Sequence, residues 1–505
     1  MCKLLITCKN KDIMKKILLL IALIIMVNVS VLPANERVAG YSGKMPVLFI
    51  NTLDGKDIVS KDSYVNATFY IQSNGVPGYS DMGSASMPID MRIRGRGNYT
   101  WNDFEKKPYR VKLNMGISVL GLNKSKNFVL LAAADDDLGF LRVPVGFELS
   151  KIFEMKYTPA YVPVELVING DYRGLYFFTE HIRVDSERVD INKQLDNQTD
   201  PNLVTGGWLI EIDNYDSNEQ VVITEGNGEK LRFTYHTPEI LSTVQRDYLI
   251  NLVTNTDKSI YNRDKNSVEW ERYIDIDTLA IFYIINEIVD NAESFHGSCY
   301  IHKDLGADKK LIFGPVWDFG NSFRRSRDLF IYEYPQFGQS WIGEIAKFPC
   351  FQEKVRELWK VYSPNILTSI NSFIDNYISS IGDACLCDAR RWNYKYGNAD
   401  YEQDKVTYKN YLKEKFTWLG SNWNLGGISD TEVSRGVVSN VAINGTVGLL
   451  DSNNISSVKA YDMSGRIVKI EISEGSVTIG AKSGIYLLEV VYNSGDRFVN
   501  KVIIR

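Results

Sequence analysis

Between Pro46 and about Asp213, apolar residues come in short runs or alternate with polar ones, the period-two pattern of strands. The clearest runs are Val47 to Ile50, Tyr64 to Ile71, Met91 to Arg94, Tyr109 to Leu113, Val164 to Ile168 and Leu175 to Phe178. The last two flank Asn169-Gly170-Asp171, a hairpin signal because Asn and Gly tolerate positive φ. One helix interrupts the series over residues 141–153, where Leu141, Val145, Leu149 and Ile152 share a face. A second helix is predicted from Asp275 or Asp277 as N-cap to about Asp290, with Ile281, Ile284, Ile285 and Ile288 at helical spacing. Beyond Trp341 the pattern is mainly helical to about Trp423.

The pattern changes at Asn424-Leu425-Gly426-Gly427. Alternating strands follow at 457–461, 467–472, 485–491 and 498–504, with turn-forming groups at 462–465, 482–484 and 493–496. They predict a small antiparallel β-sandwich. The expected organisation is a leader over 1–34, an α+β core over 35–425, a linker over 426–432 and the sandwich over 433–505.

The leader reads as a secretory signal peptide: Lys15 and Lys16 precede an apolar run from Ile17 to Val27, which fades towards Ala34. That run is shorter than the ~20 residues a membrane span needs. Met14 is an alternative start, and no Cys follows the run to accept a lipid. The whole chain is 44% hydrophobic and 24% charged, which excludes a disordered, collagen-like or low-complexity protein. With 57 Lys+Arg against 62 Asp+Glu and a net charge of -5, there is no basic excess for a nucleic-acid coat. The leader carries +4 of charge, so the rest stands near -9. Export leaves Cys299, Cys350, Cys385 and Cys387, too few for a disulfide scaffold. Cys385 or Cys387 could partner Cys350, a pairing the sequence does not decide. Histidines 181, 236, 296 and 302 are dispersed, and no zinc-ligand spacing is present.

The chemistry concentrates in the core. Arg92, Arg94 and Arg96 are spaced by two, so on a strand they share one face. Gly95 and Gly97 let a backbone approach a ligand closely. Guanidiniums beside a Gly turn suit bidentate phosphate binding. Lys112 and Arg110 share a face of a later strand, where a Lys could meet nucleotide phosphates.

The run Arg92-Ile93-Arg94-Gly95-Arg96-Gly97-Asn98-Tyr99-Thr100-Trp101, with Lys106-Lys107-Pro108-Tyr109-Arg110-Val111-Lys112-Leu113 after it, resembles the signature of the CotH kinase family. Asn127 to Ala132, Asp136-Asp137 with Leu141-Arg142, Val164 to Gly174 and Gly314 to Gly320 extend the resemblance over roughly residues 45–425. The family is named for a spore coat protein that phosphorylates other coat proteins. The resemblance implies an atypical protein-kinase-like core using ATP and Mg or Mn. It places Asp318, in Trp317-Asp318-Phe319-Gly320, as a metal ligand at a strand end. Where the family has Asn-x-Asp, this chain has Asn291-Ala292-Glu293. Glu293 would then act on the substrate hydroxyl, with Asn291 as a second metal ligand and Asp290 as the alternative acid. Arg94, Gly95, Arg96, Gly97 and Lys112 would hold the nucleotide.

Other acids have simpler readings. Glu148 falls where kinases pair a Glu with the Lys, and reads as a solvated helix residue. Glu180 reads equally as a strand-end carboxylate or as part of a hinge. Glu211 and Asp213 read as surface acids, and Asp135-Asp136-Asp137 as a loop anion cluster.

The C-terminal segment resembles the type A sorting domain of the type IX secretion system of Bacteroidetes. Residues 458–466, Ser483-Gly484-Ile485-Tyr486-Leu487-Leu488 and the ending Lys501-Val502-Ile503-Ile504-Arg505 carry that resemblance. Together these readings describe a protein secreted or held at the outer-membrane surface, without a membrane span after leader cleavage. Its partners would be the type IX machinery and a surface or extracellular protein phosphorylated on Ser or Thr, not nucleic acid. The rival reading is a non-catalytic adhesion or binding protein on the same scaffold.

Overall fold

The computed structural model describes residues 40–215, 220–334, 341–393 and 400–423. Nearer the C-terminus it describes 441–442, 445–449, 452–462, 465–473, 475–480, 482–495 and 497–504. The expected leader and the linker over 426–432 lie outside the described residues.

Seven strands close into a barrel: β1 (Val47–Thr52), β2 (Val65–Gln72), β3 (Ile89–Gly95), β4 (Tyr109–Ile117), β5 (Ser125–Leu131), β6 (Tyr161–Ile168) and β7 (Asp171–Glu180). Their order is β1-β2-β3-β4-β5-β7-β6, with β6 closing parallel to β1 and every other pairing antiparallel. Alternate residues such as Ile50, Phe69, Ile93, Val111, Phe128 and Leu166 fill the interior. The β6–β7 hairpin turns at Asn169 (φ 51) and Gly170 (φ 77), the positive pair that the Asn-Gly signal requires. Helix α1 (Tyr99–Asp103) lies between β3 and β4, and α2 (Arg142–Ile152) between β5 and β6.

A second sheet follows: β8 (Trp208–Ile212), β9 (Gln220–Thr224), β10 (Lys230–Thr237), β11 (Cys299–Lys303) and β12 (Ile312–Phe313), ordered β12-β11-β8-β10-β9 and antiparallel throughout. Helices α3 (Thr243–Ile260), α4 (Ile276–Ile288), α5 (Trp341–Ile345), α6 (Pro349–Arg391) and α7 (Tyr401–Asn422) share its core, which includes Trp208, Trp270, Trp341 and Trp359. Asp275 caps α4, its carboxylate accepting the Thr278 N–H at 2.9 Å, and Asp277 lies inside the first turn. Helix α3 buries a narrow stripe of Leu249, Val253 and Ile260, and a Ser242–Gln245 capping box starts it.

Cys350 and Cys385 both lie on α6, 35 residues apart. At 1.5 Å per residue that separates them by roughly 50 Å, so the considered pairing is excluded. All four core cysteines are free thiols.

The C-terminal part has β13 (Val441–Ala442), β14 (Thr446–Gly448), β15 (Ile455–Asp462), β16 (Ile467–Val468), β17 (Ile470–Ser473), β18 (Ser476–Ile479), β19 (Gly484–Tyr492) and β20 (Arg497–Ile504). They form two sheets, β13-β20-β19-β15-β16 and β14-β18-β17, around one apolar cluster that includes Val447, Ala460, Val477 and Leu488. The run predicted as one strand over 467–472 breaks at Lys469, so Ile467–Val468 joins one sheet and Ile470–Ser473 the other. Among the described residues no helix is long and apolar enough to cross a membrane.

A buried ion pair ties the barrel to α6. Lys106 Nζ lies between the rings of Phe140 and Tyr176, donates to Leu175 O at 2.8 Å and meets Asp388 Oδ1 at 2.7 Å. Asp388 also accepts the Leu175 N–H at 2.8 Å. Gly174 (φ +97) leaves the space, because a Cβ there would sit 2.0 Å from Asp388 Oδ1. Burial lowers the Lys106 pKa and raises that of Asp388, and their mutual attraction opposes both shifts.

Asp388→Asn should therefore cost roughly 3–5 kcal/mol, because it strands a buried ammonium. Lys106→Met combined with Asp388→Asn should cost less than Asp388→Asn alone, which urea denaturation of the three proteins checks.

Candidate functional site

Because Met91, Ile93, Val111 and Leu113 point into the barrel, Arg92, Arg94, Arg110 and Lys112 point out of it. The register sets Arg92 opposite Lys112 and Arg94 opposite Arg110. Tyr64 lies among them, its ring centre 5.6 Å from Arg92 Cζ, 5.2 Å from Arg94 Cζ and 6.0 Å from Lys112 Nζ. Four nitrogens in this region are buried without a hydrogen-bond partner: Arg94 Nε, Arg110 Nε, Arg183 Nε and His181 Nδ1. Burial first, then the charges of Arg110, His236, Arg96 and Arg183, hold the His181 pKa well below its usual value. Buried polar atoms normally have partners, so this face is arranged for a ligand rich in acceptors.

Arg96 lies past the end of β3, its N–H bonded to Pro108 O at 3.2 Å. Its guanidinium lies over Trp317 at 5.9 Å and lowers the pKa of Asp318. The Arg92–Lys112 rung is two residues, about 7 Å, farther along the strands than the Arg94–Arg110 rung. Lys112 is thus an outer member of the patch, and Arg110 takes the inner position. Gly95 has a different task from the one expected: the Trp101 ring occupies the place of its Cβ, which would lie 2.4 Å from two ring carbons. Gly97 supplies the turn, at φ +79. Beyond it, Asn98 Nδ2 reaches Tyr215 O past the end of β8 at 3.4 Å.

The acids lie across from these arginines. Trp317-Asp318-Phe319-Gly320 follows β12 and packs on α2, with the Phe319 ring over Gly146, whose Cβ would lie 2.3 Å from it. Asp318 has φ 55, and its side chain is reached by solvent from one side while protein crowds it on the others. Loss of hydration raises its pKa, opposed by Arg96 and by the Gly320 N–H. Asn291 Nδ2 donates to Asp318 O at 2.9 Å and Asn286 Oδ1 at 3.1 Å, while its own Oδ1 is buried without a partner. Burial, then repulsion from Asp318, Asp213 and Asp135, pushes Glu293 up to about 8, with Arg325 opposing. Asp318, Asn291 and Glu293 are thus brought together as the sequence suggested, and Arg96 joins them.

The other acids separate clearly. Asp290 is buried against Lys415 Nζ at 3.1 Å, so it is not the open acid. Glu148 pairs with Lys151 at 3.3 Å on its own helix. Glu180 is a strand-end carboxylate that meets Arg188 at 3.3 Å and accepts from Tyr157 Oη at 3.1 Å and the Ala160 N–H at 3.2 Å. Asp136 and Asp137 hold Arg142. Asp135 departs from that loop cluster: it faces Asp318, and burial followed by repulsion from Asp318 and Asp136 pushes it up to about 6. Glu211 is not a surface acid. It is buried on β8, pairs with His236 Nε2 at 2.7 Å and adds to the negative field at Asp318. Asp213 likewise acts on Glu293. Asp135, Glu211, Arg183 and His181 are the site residues that the sequence did not single out as such, and Arg110 was read only as sharing the Lys112 face; β8 and the 132–140 loop meet the barrel only in the fold.

Residues 92–419 match the CotH kinase protein family. The chain belongs to this family. A comparison with curated proteins finds no match. Membership implies use of ATP with a divalent metal, and the residues present fit both. The unpartnered Arg94, Arg110 and Arg183 nitrogens suit a polyphosphate, and Asn291 Oδ1 with the Asp318 carboxylate offers hard oxygens to Mg or Mn. Among the described residues no three of His, Cys, Asp and Glu converge as a metal cluster.

In this CotH kinase protein Gly320 admits the Asp135 carboxylate, since a Cβ at 320 would fall 2.1 Å from Asp135 Oδ2 and 3.5 Å from Asp318 Oδ1. Gly320→Ala should therefore weaken Mn-dependent ATP binding at least several-fold while the thermal transition stays cooperative, measured by titration calorimetry and by melting.

Proposed function

We propose that this protein is an exported kinase that transfers the ATP γ-phosphate to a Ser or Thr hydroxyl of a protein at the cell surface or outside it. The observation that carries this reading is the cleft itself. Guanidiniums with unpartnered nitrogens line one side, and Asp318, Glu293 and the free Asn291 oxygen line the other. Arg94, Arg96 and Arg110 hold the phosphates, with Lys112 at the outer end. Asp318 and Asn291 hold the divalent ion, which when bound neutralises phosphate charge. Glu293 orients the acceptor hydroxyl. The hydroxyl oxygen bonds to the γ-phosphorus, the bond to the β–γ bridging oxygen breaks, ADP leaves and the hydroxyl proton passes to Glu293. Glu293 is pushed up to about 8, so its ionised form, the minority near neutral pH, is a stronger base than an ordinary carboxylate and is the form that takes the proton.

Export rests on the leader over 1–34 and the sorting-domain resemblance over 433–505. The second reading, a non-catalytic binding protein, is favoured by Glu293, whose extra methylene displaces the carboxylate by about 1 Å, enough to cost ~100-fold in rate.

Asp318→Asn should abolish metal-dependent ATP binding with little loss of fold, because it is nearly isosteric. Glu293→Gln should keep ATP binding and lower transfer about 10²-fold or more. Glu293→Asp should equal or exceed the natural rate if one methylene is all that separates the two geometries. Labelled γ-phosphate incorporation into a Ser-rich test protein, with Mg or Mn, reads all three. ATP binding without transfer, in both the natural protein and Glu293→Asp, selects the binding-protein reading.

Deleting residues 433–505 should leave a folded, nucleotide-binding core that no longer reaches the cell surface. Surface labelling of cells checks this, and continued display would refute the sorting role.

A further inference from the structure

We propose that Lys415 of α7 is a positioning residue for the site, holding the loop that carries Asn291 and Glu293 through the carboxylate of Asp290. The proposal rests on the kinase reading of those two residues. Lys415 is fully buried, 125 residues beyond Asp290 in the chain yet in direct contact with the start of that loop. Its Nζ lies 3.1 Å from Asp290 Oδ1, 3.2 Å from Glu287 Oε2 and 2.5 Å from Leu329 O, with the Trp418 ring centre at 4.9 Å.

Asp290 is where the chain leaves α4. Its φ is 49, a left-handed turn that Asp tolerates better than most residues. The Asn291 N–H then bonds Asn286 O at 2.9 Å. Asn291 comes next in the chain, and Glu293 two residues later, so any rotation at Asp290 moves both.

The same two carboxylates hold the segment after the Asp318 motif. The Ile331 N–H donates to Glu287 Oε1 at 3.0 Å. Tyr334 Oη lies 3.3 Å from Asp290 Oδ1 and hydrogen-bonds Ser326 O. Arg325, adjacent to Ser326, acts electrostatically on Glu293. Lys415 therefore joins α7, the 326–334 segment and the 290–293 loop at one point.

Packing alone gives little reason for this arrangement. A buried ion triad is often matched or exceeded in stability by apolar residues of similar volume, whereas its directional bonds fix a geometry. Here the fixed geometry belongs to the residue preceding Asn291.

The test compares Lys415→Met, Lys415→Arg and Asp290→Asn with Asp388→Asn, which breaks the distant ion pair on α6. All are assayed in the full chain below their melting temperatures. The readouts are the Mn²⁺ dissociation constant of the nucleotide-free protein, from paramagnetic resonance of free Mn²⁺, and kcat and KM for ATP in transfer. Lys415→Met and Asp290→Asn should weaken Mn²⁺ binding at least about five-fold and lower kcat about 10–100-fold, with KM for ATP within about two-fold. Lys415→Arg should recover part of both losses, and Asp388→Asn should melt earlier without either change. Lower melting temperatures with unchanged Mn²⁺ affinity and kcat would reduce Lys415 to a structural role and overturn the proposal. If the natural protein transfers no phosphate, the kinase reading fails while the Mn²⁺ comparison still decides the role of Lys415. If Lys415→Met does not fold, Asp290→Asn, which keeps shape and backbone preference, decides alone.

Discussion

A strand can give only every second side chain to a core, and the closed barrel uses that constraint to place charge. Once Met91, Ile93, Val111 and Leu113 are committed to the interior, Arg92, Arg94, Arg110 and Lys112 have no direction left but outward. Closure removes any slack, since slipping β3 against β4 by one residue would turn Arg92 and Arg94 into an apolar core. The cation face is therefore as firmly specified as the hydrophobic core behind it.

The opposite wall is assembled under strain. Asp318, Glu293, Asp135 and Glu211 repel one another, and the loss of hydration raises the pKa of the first three. Asp318 and Asp290 both take left-handed backbone angles. Like charges and uncommon torsions persist only where the surroundings over-determine them. Here the surroundings are the Phe319–Gly146 contact, the Asn291 bond to Asp318 O and the Lys415 triad.

Much of this was legible in the chain because the signals were local. The Asn169-Gly170 turn, the 141–153 helix, the α4 cap and the tail strands each depend on neighbours within a few residues. Asp318 and Asn291 were legible through motif resemblance and not through periodicity, and Arg96 through both the two-residue spacing and the motif. What escaped depends on distant packing. Helix α3 was not anticipated although Leu249, Val253 and Ile260 lie on one face, because polar residues crowd the positions between them, and Glu211 looks like any strand acid until β8 is set against the barrel. Lys415 reads as one more polar residue of α7, and only the fold reveals that it is buried.

Helix α6 gives the molecule a ruler. Near its first turns Phe351, Val355 and Trp359 enter the core beneath the second sheet, and near its last turn Asp388 grips Lys106 of the barrel. One helix of 43 residues, with Pro364 inside it, thus runs from that core to the barrel. Each residue of a helix adds about 1.5 Å of length and 100° of rotation. Adding or deleting a single residue between Trp359 and Asp388 would swing the carboxylate away from its ammonium. The meeting of Asp388 with Lys106 is in that sense measured out by the number of residues in α6, whatever side chains its exposed face carries.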